Sequence, residues 1–278
     1  MYKTTFIISK KQEKVFTRDL NREGFTGYFV EKSGKNYYLN IFTETKLLPV
    51  VLEHVPPASI EEVDEQSWGH SWADGFNGHE LTCDIYVSAA GMPQPAKEYR
   101  HIITIDPRGS FGDGHHPTTR LCAGLLQEYI SQHADAGNFA MIDAGTGSGL
   151  LAITAYILGV RKIDLFDIDE NSVLMAEKNL RLNNITGIKP DHGDIYSYNF
   201  SVNYDIITAN LLTVLFEDNI SRLVGALASD GVLIVSGIST KWSSLFKKLA
   251  SKNNLFIVKH KRLEGWNGYL LKKRRIDY

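Results

Sequence analysis

The stretch Ile142-Asp143-Ala144-Gly145-Thr146-Gly147-Ser148-Gly149-Leu150 decides the fold of this 278-residue chain. It joins an apolar run, residues 139–143 (FAMID), to a segment of helical periodicity, residues 150–158. Glycines at alternate positions permit a tight turn and let a ligand approach the backbone, with free N–H groups at the helix start. A dinucleotide fingerprint needs G-x-G-x-x-G/A. Counted from Gly145, the sixth position is Leu150, which disfavours a nicotinamide dehydrogenase. The pattern is instead D-x-G-x-G-x-G, and Asp143 at the strand end can accept from the ammonium of a bound amino-acid moiety.

Around this turn, strand-like runs at 162–167, 204–209 and 231–236 alternate with helical segments at 171–183, 211–228 and 240–251. Alternation of this kind predicts a parallel sheet with helices on both faces. The last two runs, 255–260 and 267–272, are joined by a few residues around Glu264–Gly265. A parallel crossover needs a dozen or more, so this pair is expected to be antiparallel. The second strand ends at Asp167, 18 residues after Gly149, where a carboxylate can accept from both ribose hydroxyls. Asp169 is placed to cap the next helix. Asp194, after an expected third strand, either accepts from an adenine amino group or serves a turn. These positions fit an adenosyl ligand across the carboxyl ends of the strands. Asn210, at the end of the fourth strand, either caps the following helix or accepts from a target nitrogen, and the two roles are compatible.

A mostly parallel sheet with an antiparallel terminal hairpin resembles the Rossmann-like class I S-adenosylmethionine-dependent methyltransferases. The resemblance narrows upstream, at Asp106-Pro107-Arg108-Gly109-Ser110-Phe111-Gly112-Asp113-Gly114-His115-His116-Pro117-Thr118-Thr119-Arg120-Leu121-Cys122. This is similar to the signature of the ribosomal protein L-eleven methyltransferases, the PrmA family, close to DPGxAFGTGTHPTT. It continues through the glycine turn, FDID at 166–169, ANLLT at 209–213, VSGI at 235–238 and EGW at 264–266. The resemblance implies S-adenosyl-L-methionine as cofactor, S-adenosyl-L-homocysteine as product, and lysine and N-terminal amines of one large-subunit ribosomal protein as acceptors. An S-adenosylmethionine-dependent methyltransferase of another protein or of RNA is the alternative. It places Thr118, Gly145, Asp167 and Asn210 at cofactor-binding positions, with Asn210 also catalytic. Gly147, Asp143 and Asp194 join them from the reading of the residues. Phe111 either covers the sulfonium, as an aromatic face favours a cation, or packs. Asp113 and His115 stand where the family pattern has threonines. His115 and His116 are expected to order the loop rather than to act as bases, and no metal site is expected.

The N-terminal residues read as a strand at 3–8, a helix at 10–23 capped by Ser9, strands at 25–30 and 37–42, a short helix near 43–54 and a last strand near 60–63. This predicts a small α+β two-layer domain over residues 1–63, similar in layout to the family's substrate-recognition domain. Residues 64–98 read as a connector with one strand, 81–87, leaving 99–278 as the methyltransferase domain.

Composition sets the remaining bounds. Hydrophobic residues at 43% and charged residues at 22% exclude a largely disordered chain. Two cysteines, Cys83 and Cys122, exclude a disulfide scaffold and lack the spacing of a zinc site. The net charge of −2 gives no general reason to bind nucleic acid. Residues 61–135 carry a net −8 against +3 on either side, either a solvated connector or a surface that attracts a basic partner. No apolar run approaches the roughly 20 residues of a membrane span, and no signal peptide precedes the first strand, so a cytoplasmic protein is expected.

Overall fold

The computed structural model describes residues 2–22, 28–33, 36–43, 52, 55–62, 76, 78–93, 95–107 and 110–274. The chain divides into two compact units, Met1–Gly75 and Phe76–Tyr278.

The first unit contains β1 (Tyr2–Ile8), α1 (Lys10–Arg22), β2 (Tyr28–Ser33), β3 (Asn36–Thr43) and β4 (Ser59–Glu62), with sheet order β2-β3-β1-β4. Every pairing in it is antiparallel. Thr4, Phe6 and Ile8 of β1 point inward while Ile7 is exposed, the period-2 pattern of a half-buried strand. Ser9 caps α1 as expected. Its hydroxyl accepts from Gln12 N (3.3 Å), and Gln12 Oε1 accepts from Ser9 N (3.0 Å), a reciprocal capping box. Phe16 and Leu20 of α1 join Phe6, Leu39 and Ile41 in the core. The expected helix at 43–54 falls almost wholly outside the described residues, although Thr43 closes β3 and Leu52 is buried. Residues 25–27 and Val63, expected in strands, also lie outside them.

The second unit begins with β5 (His79–Thr82), β6 (Ile85–Ala89) and β7 (His101–Ile105), a three-stranded sheet in that order. The single strand expected over 81–87 is therefore two antiparallel strands, split by a turn at Cys83–Asp84. Asp84 anchors that turn: its carbonyl accepts from His101 N (3.0 Å) and its carboxylate from Gln127 Nε2. Residues 78–98, expected in a connector, group with the second unit.

There follow α2 (Pro117–Ser131), β8 (Ala140–Ala144), α3 (Leu150–Ile157), β9 (Lys162–Asp167), α4 (Glu170–Leu182), β10 (Asp191–His192) and β11 (Tyr204–Asn210). The chain closes with α5 (Thr213–Ala226), β12 (Leu227–Ser239), α6 (Ser243–Lys252), β13 (Leu255–Leu263) and β14 (Trp266–Lys273). The seven-stranded sheet has the order β10-β9-β8-β11-β12-β14-β13. The pairs β10–β9, β9–β8, β8–β11 and β11–β12 are parallel, and β14 is antiparallel to both its neighbours. The terminal hairpin is antiparallel because its turn is two residues long, with Glu264 (φ 48°) and Gly265 (φ 82°) both left-handed. Expectation and structure agree there.

Successive strand residues are buried on opposite faces. Met141, Ile206, Val232 and Leu270 enter one cluster, and Ile142, Ile207, Leu233 and Leu271 the other. Both faces are covered, so the strands read as continuous apolar runs. Among the described residues no helix is long and apolar enough to cross a membrane. On the second face, Phe216 of α5 is fully buried and meets Phe246 of α6 edge-on, with centroids 5.4 Å apart. Phe216→Ala is expected to destabilise this unit by about 3–5 kcal/mol, the usual cost of emptying a buried aromatic site. Urea unfolding checks it, and an unshifted midpoint would remove Phe216 from the core.

Candidate functional site

The glycine turn crosses the carboxyl end of β8 and is closed by its own neighbours. Gly145 N and Thr146 N both donate to Phe166 O (3.0 Å each). Gly147 N donates to Asp167 Oδ2 (2.8 Å), Ser148 N to Phe111 O (2.9 Å) and Gly149 N to Thr146 O (3.0 Å). The N–H groups of residues 145–149 are therefore all spent inside the protein. Gly147 is required twice over. Its φ is +54°, and a Cβ there would lie 2.4 Å from the Phe111 carbonyl oxygen.

Asp143 lies one residue from the end of β8. Its side chain is fully buried beneath the turn. Thr208 Oγ1 donates to its Oδ1 (2.6 Å) and Thr146 Oγ1 to its Oδ2 (2.7 Å). It braces the turn from below. Burial pushes its carboxyl up to about 6, against the two hydroxyl bonds that pull it down, and the nearby Asp167 charge adds to the rise.

Asp167 ends β9 half-buried at the rim. Its Oδ1 accepts from Asp169 N (3.1 Å), and each of its oxygens retains a lone pair beyond its backbone bond. Asp169 caps α4 as expected, accepting from Asn171 N and Ser172 N (3.2 Å each). Gly193 N donates to Asp167 O (2.9 Å), which brings Asp194 against the end of β9. Asp194 Oδ1 accepts from Tyr196 N (2.9 Å), so the turn role is present. Ile168, overlooked in the sequence, is 64% exposed between Asp167 and Asp169 and offers apolar surface beside Asp194. Its signal was an apolar residue between two carboxylates at a strand end.

Asn210 ends β11 half-buried, and its Nδ2 donates to Thr119 Oγ1 (3.3 Å). The cap position of α5 falls on Leu212 with no side-chain bond, so Asn210 is not that cap. With its NH2 turned to Thr119, its carbonyl is left as the acceptor.

The loop before α2 lies over the glycine turn. Phe111 is 57% exposed and meets His116 edge-on at 5.3 Å, while His116 meets Trp266 at 5.1 Å. His116 Nδ1 caps α2 by accepting from Thr118 N (3.3 Å), so the Thr118 hydroxyl donates to the same nitrogen (2.7 Å). Burial holds this imidazole below its usual range and keeps it neutral. Thr118 itself is 1% exposed with its hydroxyl engaged by His116. That bond fixes the histidine at the start of α2.

Asp113 and His115 order the loop. Asp113 accepts from His115 N (3.0 Å) and pairs with His115 Nδ1 (3.1 Å). The His115 ring lies 3.8 Å from His79, and Phe76 meets both edge-on. Burial and the neighbouring His115 lower His79 to about 4. No group of histidine, cysteine and carboxylate side chains suited to a metal occurs among the described residues.

The family model described as ribosomal protein L11 methyltransferase (PrmA) matches residues 5–274. The chain belongs to this family. A ribosomal protein L11 methyltransferase of Streptococcus uberis is 32% identical over 224 residues, covering 78% of this chain and 68% of its own length. One from Streptococcus pyogenes is 31% identical over 217 residues, covering 77% and 66%. The chain thus spans about two thirds of the length of these curated relatives. The crystal structure of a ribosomal protein L11 methylase from Lactobacillus delbrueckii subsp. bulgaricus superposes with a TM-score of 0.65 at 29% identity, covering 72% of this chain and all of that one. The PrmA family consists of S-adenosylmethionine-dependent methyltransferases, and the seven-stranded sheet described above is theirs.

Asp143 makes a pH prediction possible. Its folded carboxyl at about 6 stands above its ordinary 3.8, so the native state holds a proton that the unfolded chain releases. That stabilisation is complete below about pH 4 and is lost as pH rises through 6. Asp143→Asn is expected to flatten melting temperature against pH across that window. An unchanged slope between pH 4 and 6 would mean that Asp143 ionises freely.

Proposed function

We propose that this chain transfers methyl groups from S-adenosylmethionine to lysine and N-terminal amines of ribosomal protein L11, with Asp167 holding the ribose and Asn210 aiming the acceptor nitrogen. The observation that carries this reading is the carboxyl rim of the sheet. A half-buried carboxylate on β9 and an amide carbonyl on β11 flank the glycine turn.

The residues present fit an adenosyl ligand at Asp167, Ile168 and Asp194. Asp167 would accept from ribose hydroxyls on its remaining lone pairs. Ile168 and the free oxygen of Asp194 would receive the flat base and its amino group. Gly145 and Gly147 would shape the turn beside the ligand chain, since a Cβ on either would strike Leu211 or the Phe111 carbonyl. When bound, S-adenosylmethionine supplies an electrophilic methyl group. An acceptor lysine must lose its proton first, from an unperturbed pKa near 10.4. Half-buried surroundings at Asn210 disfavour the charged amine. The Asn210 carbonyl accepts an N–H, which turns the nitrogen lone pair toward the carbon, and alignment accounts for most of the remaining rate. Phe111, exposed over the turn, offers its face to positive charge. The neutral His116 beneath it adds no repulsion. Residues 1–63 are assigned to holding the protein substrate.

Incubation with labelled S-adenosylmethionine and unmethylated ribosomal protein L11, followed by mass mapping, tests the reaction. No incorporation would refute it. Asp167→Ala is expected to weaken cofactor binding by about 1–3 kcal/mol, the scale for unsatisfied buried donors. Calorimetry measures this, and unchanged affinity would put the ribose elsewhere. Asn210→Ala should lower turnover far more than it raises the cofactor dissociation constant. Equal proportional losses would end its role toward the acceptor.

A further inference from the structure

The same rim holds a second concavity. A cleft of about 320 Å³ lies where α2 meets β13, with Leu81, Leu121 and Leu263 as apolar walls and Arg120, Lys261 and Arg262 as cations. Its place is set by residues already met. Arg120 follows Thr119, whose hydroxyl accepts from Asn210. Leu263 precedes the turn that carries Trp266 onto His116. The cleft therefore adjoins the groups assigned to the acceptor amine.

Its charges are not balanced internally. Lys259 and Lys261 share one carboxylate, Glu128. Glu80 on β5 is taken by Lys97 (2.7 Å) and Tyr99 (3.0 Å). Arg120 reaches Glu264 at 4.0 Å, a carboxylate 64% exposed, and its charge also acts on Glu80, whose hydrogen bonds go to Lys97 and Tyr99. Arg120 Nε is buried with no hydrogen-bond partner. Arg262 is exposed and pairs with no carboxylate among the described residues. A guanidinium donor withdrawn from water with no acceptor costs free energy until a ligand accepts from it.

We propose that this cleft receives a carboxylate side chain of the protein substrate, close to the amine that is methylated. The inference rests on the reading of this chain as a protein methyltransferase and names a specificity determinant for it. Guanidinium forks match a carboxylate in plane and in spacing. The three leucines suit the methylenes of an aspartate or glutamate, which a phosphate lacks. The Nε–H of Arg120 supplies one bond, and Arg262, free of competing carboxylates, supplies a second.

The test uses the full-length chain and ribosomal protein L11. Arg120→Gln and Arg262→Gln should each raise KM for the protein about tenfold or more, the scale of one charge-assisted hydrogen bond. Turnover at saturation and S-adenosylmethionine affinity by calorimetry should not change. Each aspartate or glutamate flanking the methylated lysine is then replaced by its amide in turn. One replacement should raise KM with the unsubstituted enzyme and have no further effect with Arg120→Gln. Unaltered KM in both arginine variants, or losses that multiply for every replacement, overturn the assignment. Absence of any methyl transfer by the unsubstituted chain overturns the protein-methyltransferase reading and this proposal together.

Discussion

The site depends on the backbone of residues 145–149 being held by acceptors from two other segments, the end of β9 and the loop before α2. The Phe166 carbonyl takes two N–H groups, the Asp167 carboxylate a third and the Phe111 carbonyl a fourth. Phe111 can reach because Gly147 has no side chain at the point of contact. One buried amide then ties the upstream loop to the sheet side. Asn179 of α4 donates to Ser148 O (2.8 Å) and accepts from Asp106 N (2.8 Å), while its neighbour Asn183 brackets both backbone groups of Thr104. The turn, the loop before α2 and the end of β7 thus share one polar network. Rearrangement of any of them would strand buried donors.

The electrostatics follow from that closure. Two carboxylates stand at the turn, one beneath it and one at its rim. Asp143, fully buried with two hydroxyl partners, takes the strain of desolvation, and the charge on Asp167 adds to it. Asp167 stands half-buried at the rim and accepts from two backbone donors, Gly147 N and Asp169 N. Opposite them, His116 is neutral by burial, with its protonation fixed by two donors from Thr118. A positively charged ligand at this turn therefore meets the Asp167 carboxylate.

Much of this was legible in the sequence, for identifiable reasons. Strand 162–167 was read to the residue because its apolar run ends abruptly at carboxylates. The antiparallel hairpin was legible from a connection too short for a crossover. The whole of α2 was not, since ten of its residues are buried and its stripe is broad rather than periodic. The two short strands β5 and β6 were merged into one because the Cys83–Asp84 turn contains neither glycine nor proline. Asp143 and Thr118 were read by position alone. Position places a residue at a strand end or helix start, but only packing decides which way its side chain turns. For both, a neighbouring hydrogen-bond partner, Thr208 or His116, had the stronger claim.

The charge pattern shows the same difference between composition and placement. The net −8 over residues 61–135 reads as an acidic surface for a basic partner. Within the described part of that stretch, much of the acidity is already committed. Asp106 binds Lys178 (2.5 Å), Glu80 binds Lys97, Glu128 is shared by Lys259 and Lys261, and Asp113 pairs with His115. These cations come largely from elements outside the stretch, so its excess charge serves cohesion of the second unit as well as any encounter. What such pairing leaves over is a small number of uncompensated cations at the rim, Arg120 and Arg262 above all. Charges screened over about 8 Å at physiological ionic strength act on a partner through those local residues rather than through a segment sum. A partner with overall positive charge and one correctly placed carboxylate satisfies both features of this surface.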